Sequence, residues 1–313
     1  MVPGGPRALS TFGAALAALV PFQALSWPGA ALGWLAGSVL RIRRRAVEAA
    51  MRRAGVAHPA ARARGMYRQL GQGLLELFWL AGASEPARDS VVELDAEAAA
   101  ILSAALARGP VLLAASHTGN WELAAFAAAR WLRPRGRSLV VVAKALHVGA
   151  FHVFCTRLRE SFGVRLVAPL GALTNTKRAL RAGDVVVMPI DQVPDRERHG
   201  HRIEFLGAKA LADRAPAALA LAEGATMLVV AADRGEGRQR IRVLAEIPPP
   251  ARKDRAGFVE RATERASAAL DGFVRQSPES WLWLHRRWRA PLEADRPETL
   301  SGPRKLVTTA HPG

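Results

Sequence analysis

Val111 to Glu122 reads VLLAASHTGNWE, and this stretch decides the fold class. The apolar run Val111–Ala115 reads as a buried strand, and Ser116-His117 close it. Thr118-Gly119-Asn120 turn the backbone, with Gly119 allowing a sharp bend and Asn120 suited to cap a helix. Trp121-Glu122 then open an Ala-rich apolar stretch that reads as that helix. A strand that ends in a turn and passes straight into a helix is the unit from which parallel sheets are built. A histidine at such a strand end stands where α/β sheets place their ligands.

Moving outward, the same alternation repeats. Apolar β-rich runs recur at 138–143, 164–168, 185–190 and 227–232, with helical stretches at about 123–132, 150–162, 174–182 and 214–222. The expected fold is therefore α/β, a mostly parallel central sheet with helices on both faces. Residues 239–244 suit an antiparallel edge strand, and 255–276 a final amphipathic helix. Residues 41–83 read as helical, 85–95 as a polar connector and 96–107 as another helix. No internal repeat, GxGxxG or P-loop pattern occurs, so nucleotide binding has no support.

The chain has 313 residues and a formal net charge of +17, carried mostly by arginine. Such a charge reflects either a bias of arginine over lysine or attraction to a polyanion, nucleic acid or an anionic membrane. The N-terminus separates the last two. Ala8 to Leu40 carries no charged side chain and runs directly into Arg41-Ile42-Arg43-Arg44-Arg45. About 20 apolar residues cross a bilayer core as a helix, but Pro21 and Pro28 interrupt this stretch. It is expected to be a kinked span, a re-entrant hairpin or a pair of interfacial helices, with Trp27 and Trp34 at interfacial depth. The flanking arginines favour the cytoplasmic side and anionic headgroups. The organisation expected is thus a hydrophobic membrane anchor with its basic flank over 1–45, an α/β domain over 46–292 and a disordered tail over 293–313. No RNA-binding aromatic motif, zinc finger or basic zipper is present, and the lone Cys155 excludes an internal disulfide and is read as structural. No Cys/His spacing suggests a metal site.

A His-x4-acid pair is weak evidence alone, and the chain holds a second one, His199…Glu204, in a charged loop. Context favours His117 as general base with Glu122 as its orienting carboxylate, because Glu122 falls in the first turn of the next helix. Ser116–Glu122 and the segment Trp281-Leu-Trp-Leu-His-Arg-Arg-Trp288 together resemble the lipid A late acyltransferases (the lauroyl and myristoyl transferases) of the lysophospholipid acyltransferase superfamily. Arg159–Gly163, Lys177–Asp184, Asp191-Gln192 and Phe205-Leu206-Gly207 fall in that family's order and spacing. The loops Lys144–Val148 and Ala212–Arg214 depart from it.

The resemblance implies transfer of an acyl chain from acyl carrier protein or coenzyme A to a hydroxyl of a membrane glycolipid, at the cytoplasmic face of the inner membrane. No cofactor beyond the acyl donor and no nucleic-acid partner is implied. His117 and Glu122 would be catalytic. Asn120, Lys144, Arg157, Arg159, Asp191 and Gln192 would bind substrate, and an arginine, Arg157 or Arg159, would serve the thioester oxyanion or an acceptor phosphate. Asp191-Gln192 ends a strand and is expected near His117 on the same sheet edge. The tryptophan cluster is expected to pack the core and anchor at the interface. Transfer to another lipid (a lysophospholipid, an aminolipid or a mannosylated phosphoinositide) and a catalytically inactive lipid-binding relative stay open as alternatives.

Overall fold

A computed structural model describes residues 19–144, 149–169, 171–235 and 238–289. In chain order its helices are α1 (Ser26–Trp34), α2 (Arg44–Arg53), α3 (Pro59–Gly82), α4 (Glu85–Asp89), α5 (Ala96–Arg108), α6 (Trp121–Leu132), α7 (Gly149–Ser161), α8 (Ala172–Arg181), α9 (Ala215–Glu223) and α10 (Phe258–Gln276). The strands are β1 (Val111–Ala115), β2 (Leu139–Val142), β3 (Val164–Val167), β4 (Val185–Pro189), β5 (Gly200–Phe205), β6 (Ala208–Asp213), β7 (Thr226–Gly235) and β8 (Arg238–Ile247). The expected α/β class and the mostly parallel sheet are observed.

Six strands form one sheet in the order β3-β2-β4-β1-β7-β8, all parallel except the edge strand β8, which runs antiparallel to β7. The apolar runs are continuous because both faces are covered. Leu112 and Ala114 belong to one hydrophobic cluster, while Val111 and Leu113, pointing the other way, belong to the second. Helices α5, α6 and α7 pack on the second face and α8, α9 and α10 on the first, with α3 contributing to both. Helix α6 follows β1 and α9 follows the excursion after β4, so the crossovers leaving these neighbouring strands depart over opposite faces. In α/β sheets ligands bind at the carboxyl ends of strands whose crossovers diverge in this way.

Two expectations need correction. Residues 41–83 are two helices, because the chain turns at Gly55 and His58, both at positive φ, and Pro59 starts α3. The charged loop after β4 contains an antiparallel hairpin, β5–β6, turned by Leu206 (φ +51°) and Gly207 (φ +73°).

No helix among the described residues is long and apolar enough to cross a membrane. The described part of the N-terminal apolar stretch forms a 3-10 turn (Phe22–Leu25), α1 and a π turn (Leu35–Val39). Pro28 lies in the first turn of α1, where its missing N–H has no helical partner to lose. Residues 1–18 and the tail expected over 293–313 lie outside the described residues. Gly29, Gly33 and Gly37 bring this segment against α3: a methyl on Gly33 would collide with the Tyr67 carbonyl, and one on Gly37 with the Tyr67 ring. The Tyr67 hydroxyl donates to the Ile42 carbonyl and the Trp79 indole to the Val20 carbonyl (2.8 Å). Close backbone approach thus holds the segment. The variant G33A should lose about 1–3 kcal/mol in urea unfolding, because the packing must open by the width of a methyl. An unchanged midpoint would contradict this packing.

Candidate active site

Strand register builds the site. Ala115 pairs with Pro189 across the parallel β1–β4 ladder, and the Ile190 amide still donates to the Ala115 carbonyl (2.8 Å). His117 and Asp191, each two residues past that last pair, therefore emerge side by side. The Asp191 carboxylate has no exposed surface. Its Oδ1 lies 2.9 Å from His117 Nδ1, and its Oδ2 accepts from the His117 amide (2.8 Å) and the Trp281 indole (3.0 Å). An ionised carboxylate only accepts, so Nδ1 carries the proton and the neutral ring keeps its lone pair on Nε2.

The turn is held rigidly. Gly119 has φ +52°, and a Cβ there would stand 2.7 Å from the Ala232 carbonyl oxygen of β7. The Thr118 hydroxyl accepts from the Ala232 amide (2.8 Å). On the other side the C-terminal segment pairs with the turn: Gly119 N–H donates to Ser280 O (2.7 Å) and Leu282 N–H to His117 O (2.9 Å). Asn120 caps α6, its Oδ1 accepting from the Leu123 amide (3.1 Å).

The electrostatics derive from this packing. Burial pushes the His117 imidazole toward its neutral form, but Asp191 outweighs burial and Glu122 adds to it against Arg159, so the pKa lies above the ordinary 6.5. Burial alone would raise the pKa of Asp191, yet His117, its amide and His285 hold it well below the carboxylate range. His285, whose ring centroid is 4.6 Å from that of His117, is pushed down to about 4 by burial and by the His117 charge. It is thus neutral at pH 7, and its buried Nε2 has no hydrogen-bond partner among the described residues.

The sequence-predicted residues separate into groups. His117 and Asp191 are joined, on the shared sheet edge where they were expected. Glu122 does not take the ring hydrogen bond expected of it. Both of its oxygens face the Arg159 guanidinium, with Arg159 Nε at 2.8 Å, and the Trp121 indole donates to it at 3.2 Å. The physical reason is direction. Asn120 starts α6 so that its first turn faces α7, while the ring of His117 turns toward β4. Arg159 is consequently held in a largely buried ion pair. Lys144, at the end of β2, pairs with Asp195 (2.6 Å) on the surface, Arg157 is exposed on α7, and Gln192 is half-buried beside Asp191. Trp281 and Trp283 are buried in the core, so these two do not reach an interface. Cys155 is buried, its thiol pushed up to about 11 by burial and by Glu122. The other His-x4-acid pair, His199 and Glu204, is exposed.

Sequence reasoning missed His285 as a neighbour of His117, and missed Glu76 and Gln239, which hold Asn120, with Arg234, which pairs with Glu76. The signal for Glu76 was a single carboxylate inside the apolar run Leu74–Leu80. Ligand atoms of His117, Asp191 and His285 lie within 4.8 Å of one another, a set able to hold a metal ion. In this structure both Asp191 oxygens accept from N–H donors, Oδ1 facing the His117 ring and Oδ2 the His117 amide and the Trp281 indole.

The variant E122Q should cost about 3 kcal/mol in denaturant unfolding, because it leaves the buried Arg159 charge uncompensated. Wild-type stability in E122Q would show that the pair carries little energy.

A sequence model described as "Bacterial lipid A biosynthesis acyltransferase" matches residues 7–290, and the chain belongs to that family. A search of curated proteins finds no match.

Proposed function

From membership of that family, we propose that this acyltransferase moves a fatty acyl chain from a thioester, on acyl carrier protein or coenzyme A, to a hydroxyl of a membrane glycolipid such as a lipid A precursor. The observation that carries the reading is the His117–Asp191 pair, which leaves a basic Nε2 at the C-terminal edge of the sheet. Nε2 takes the proton from the acceptor hydroxyl as its oxygen attacks the thioester carbonyl. The resulting tetrahedral intermediate collapses by breaking the C–S bond, and the imidazolium returns the proton to the departing sulfur. Asp191 stabilises the imidazolium between these events. Glu122 acts less directly, adding negative potential at the ring while clamping Arg159. Lys144 and Arg157 are proposed to meet acceptor phosphates and Gln192 to contact the substrate. Asn120, expected to bind substrate, is buried with its side chain engaged by the Leu123 amide and Glu76, and holds the turn instead. No cofactor beyond the acyl donor enters this scheme.

The enzyme is proposed to work on the cytoplasmic face of the inner membrane, docked through the N-terminal segment over 1–45. Leu19, Trp27, Trp34, Leu35, Val39, Leu40 and Ile42 are exposed apolar side chains there, and Arg41 and Arg45 stand exposed beside them. An apolar surface edged by arginines suits an anionic bilayer interface. The same basic charge suits an acidic carrier protein.

In an assay with acyl thioester and lipid A precursor, H117A should lower transfer by about 10²–10⁴-fold while folding and vesicle binding persist. Retained transfer in H117A would remove His117 as the base, and a wild type that transfers nothing would favour an inactive lipid-binding relative. Separately, W27S/W34S should weaken binding to anionic vesicles by about tenfold or more, given about 1.5–3 kcal/mol for each large apolar side chain withdrawn. Unchanged vesicle binding would remove this surface from the proposal.

A further inference from the structure

The geometry points to Glu76 as a positioning residue for the catalytic turn, an inference that rests on the acyl-transfer reading above. Glu76 lies on α3 and is 4% exposed. Its Oε2 accepts from Asn120 Nδ2 (2.7 Å), and its Oε1 lies 2.6 Å from Arg234 Nη2 on β7. The orientation of the Asn120 amide is forced. Its Oδ1 must face the Leu123 amide to cap α6, so its NH2 group points into the interior and needs an acceptor. Glu76 is that acceptor. The Asn120 backbone amide is meanwhile held by Gln239 Oε1 (3.2 Å) of β8.

One buried carboxylate thus binds three parts of the molecule: α3, the turn that carries His117, and the β7–β8 edge. Its position matters because Asn120 stands between the two chemical elements of the site. Three residues before it is His117, whose amide and ring both rest on Asp191; two residues after it is Glu122, which clamps Arg159. Helix α3 also carries, through Gly71 and Tyr67, the packing of the N-terminal apolar segment. Glu76 is therefore a buried link through which that segment and the catalytic turn share one frame.

A glutamine at this position can accept from Asn120 or from Arg234 but not from both, and its NH2 would face a second donor. E76Q should lower kcat by about ten- to a hundredfold with KM values within about twofold, because a displaced base slows chemistry without removing binding contacts. N120D keeps the helix cap but sets two carboxylates against each other, and should be similarly impaired. The swap E76Q/N120D restores the network. The glutamine oxygen then faces Arg234, its NH2 donates to the new carboxylate, and kcat should return to within about threefold of wild type.

Histidine NMR titration of the same proteins reads the position of His117 without turnover. Its pKa should drop toward the ordinary value in E76Q and recover in the swap. Wild-type kcat and titration in E76Q, a loss confined to KM, or a loss that the swap does not recover would overturn the inference. If a single variant fails to fold, a folded and active swap supports the pairing, and an unfolded swap overturns it. The control H117A separates the two levels. A wild type that transfers no acyl chain defeats the proposed function, and an H117A that transfers normally removes His117 as the base, while the titration still decides whether Glu76 positions His117.

Discussion

The hydrogen bond from the His117 ring to Asp191 depends on two parallel strands ending in step. Ala115 opposite Pro189 fixes the level of both chains, and the two residues after each carry them past the sheet edge at the point where their crossovers diverge. A slip of the β1–β4 register by one residue would turn side chains to the opposite face and separate the pair. Chemistry here is thus conditional on the packing of Val111–Ala115 between two apolar layers, which forbids such a slip. The Asp191 carboxylate carries its charge with no exposure because three N–H groups satisfy it, two from His117 and one from Trp281.

The C-terminal tryptophans gain meaning from the same bond. Trp281 fills the core against Phe205 and Trp283 while aiming its indole N–H at Asp191, and the backbone on either side of it pairs with the His117 turn. A packing residue and an electrostatic one are here a single side chain. The segment also brings His285 to the ring of His117, kept neutral by burial and by its neighbour's charge. Two histidines therefore share one site, yet only the one beside the carboxylate takes a proton readily.

Much of this was legible in the sequence. The apolar runs gave four of the parallel strands to within a residue of their ends because both sheet faces are covered, and the shared edge of His117 and Asp191 followed from both lying at strand ends. Two features hid. Glu122 drew attention by its nearness in sequence, whereas the partner of a strand-end histidine is chosen by long-range register, which local spacing does not encode. The β5–β6 hairpin hid because Ile203 and Phe205 follow closely on the charged run Asp195–Arg198 among Arg202 and Glu204, and because β6 is half alanine, which has little strand preference. Glu76 shows a third limit: a carboxylate in an apolar helix announces a buried partner without saying which.

The most direct test is the pH dependence of kcat/KM for wild type and D191N, read beside the NMR titration of His117. In the proposed mechanism the base is a neutral imidazole, so activity should rise with pH through the His117 pKa, which lies above 6.5 in the wild type. Removing the Asp191 charge should move that limb to lower pH, shift the NMR titration equally, and reduce kcat/KM by about 10²–10⁴-fold. An acid limb and a titration that stay in place in D191N, with transfer intact, would contradict the assignment of Asp191 as the group that holds and charges the base.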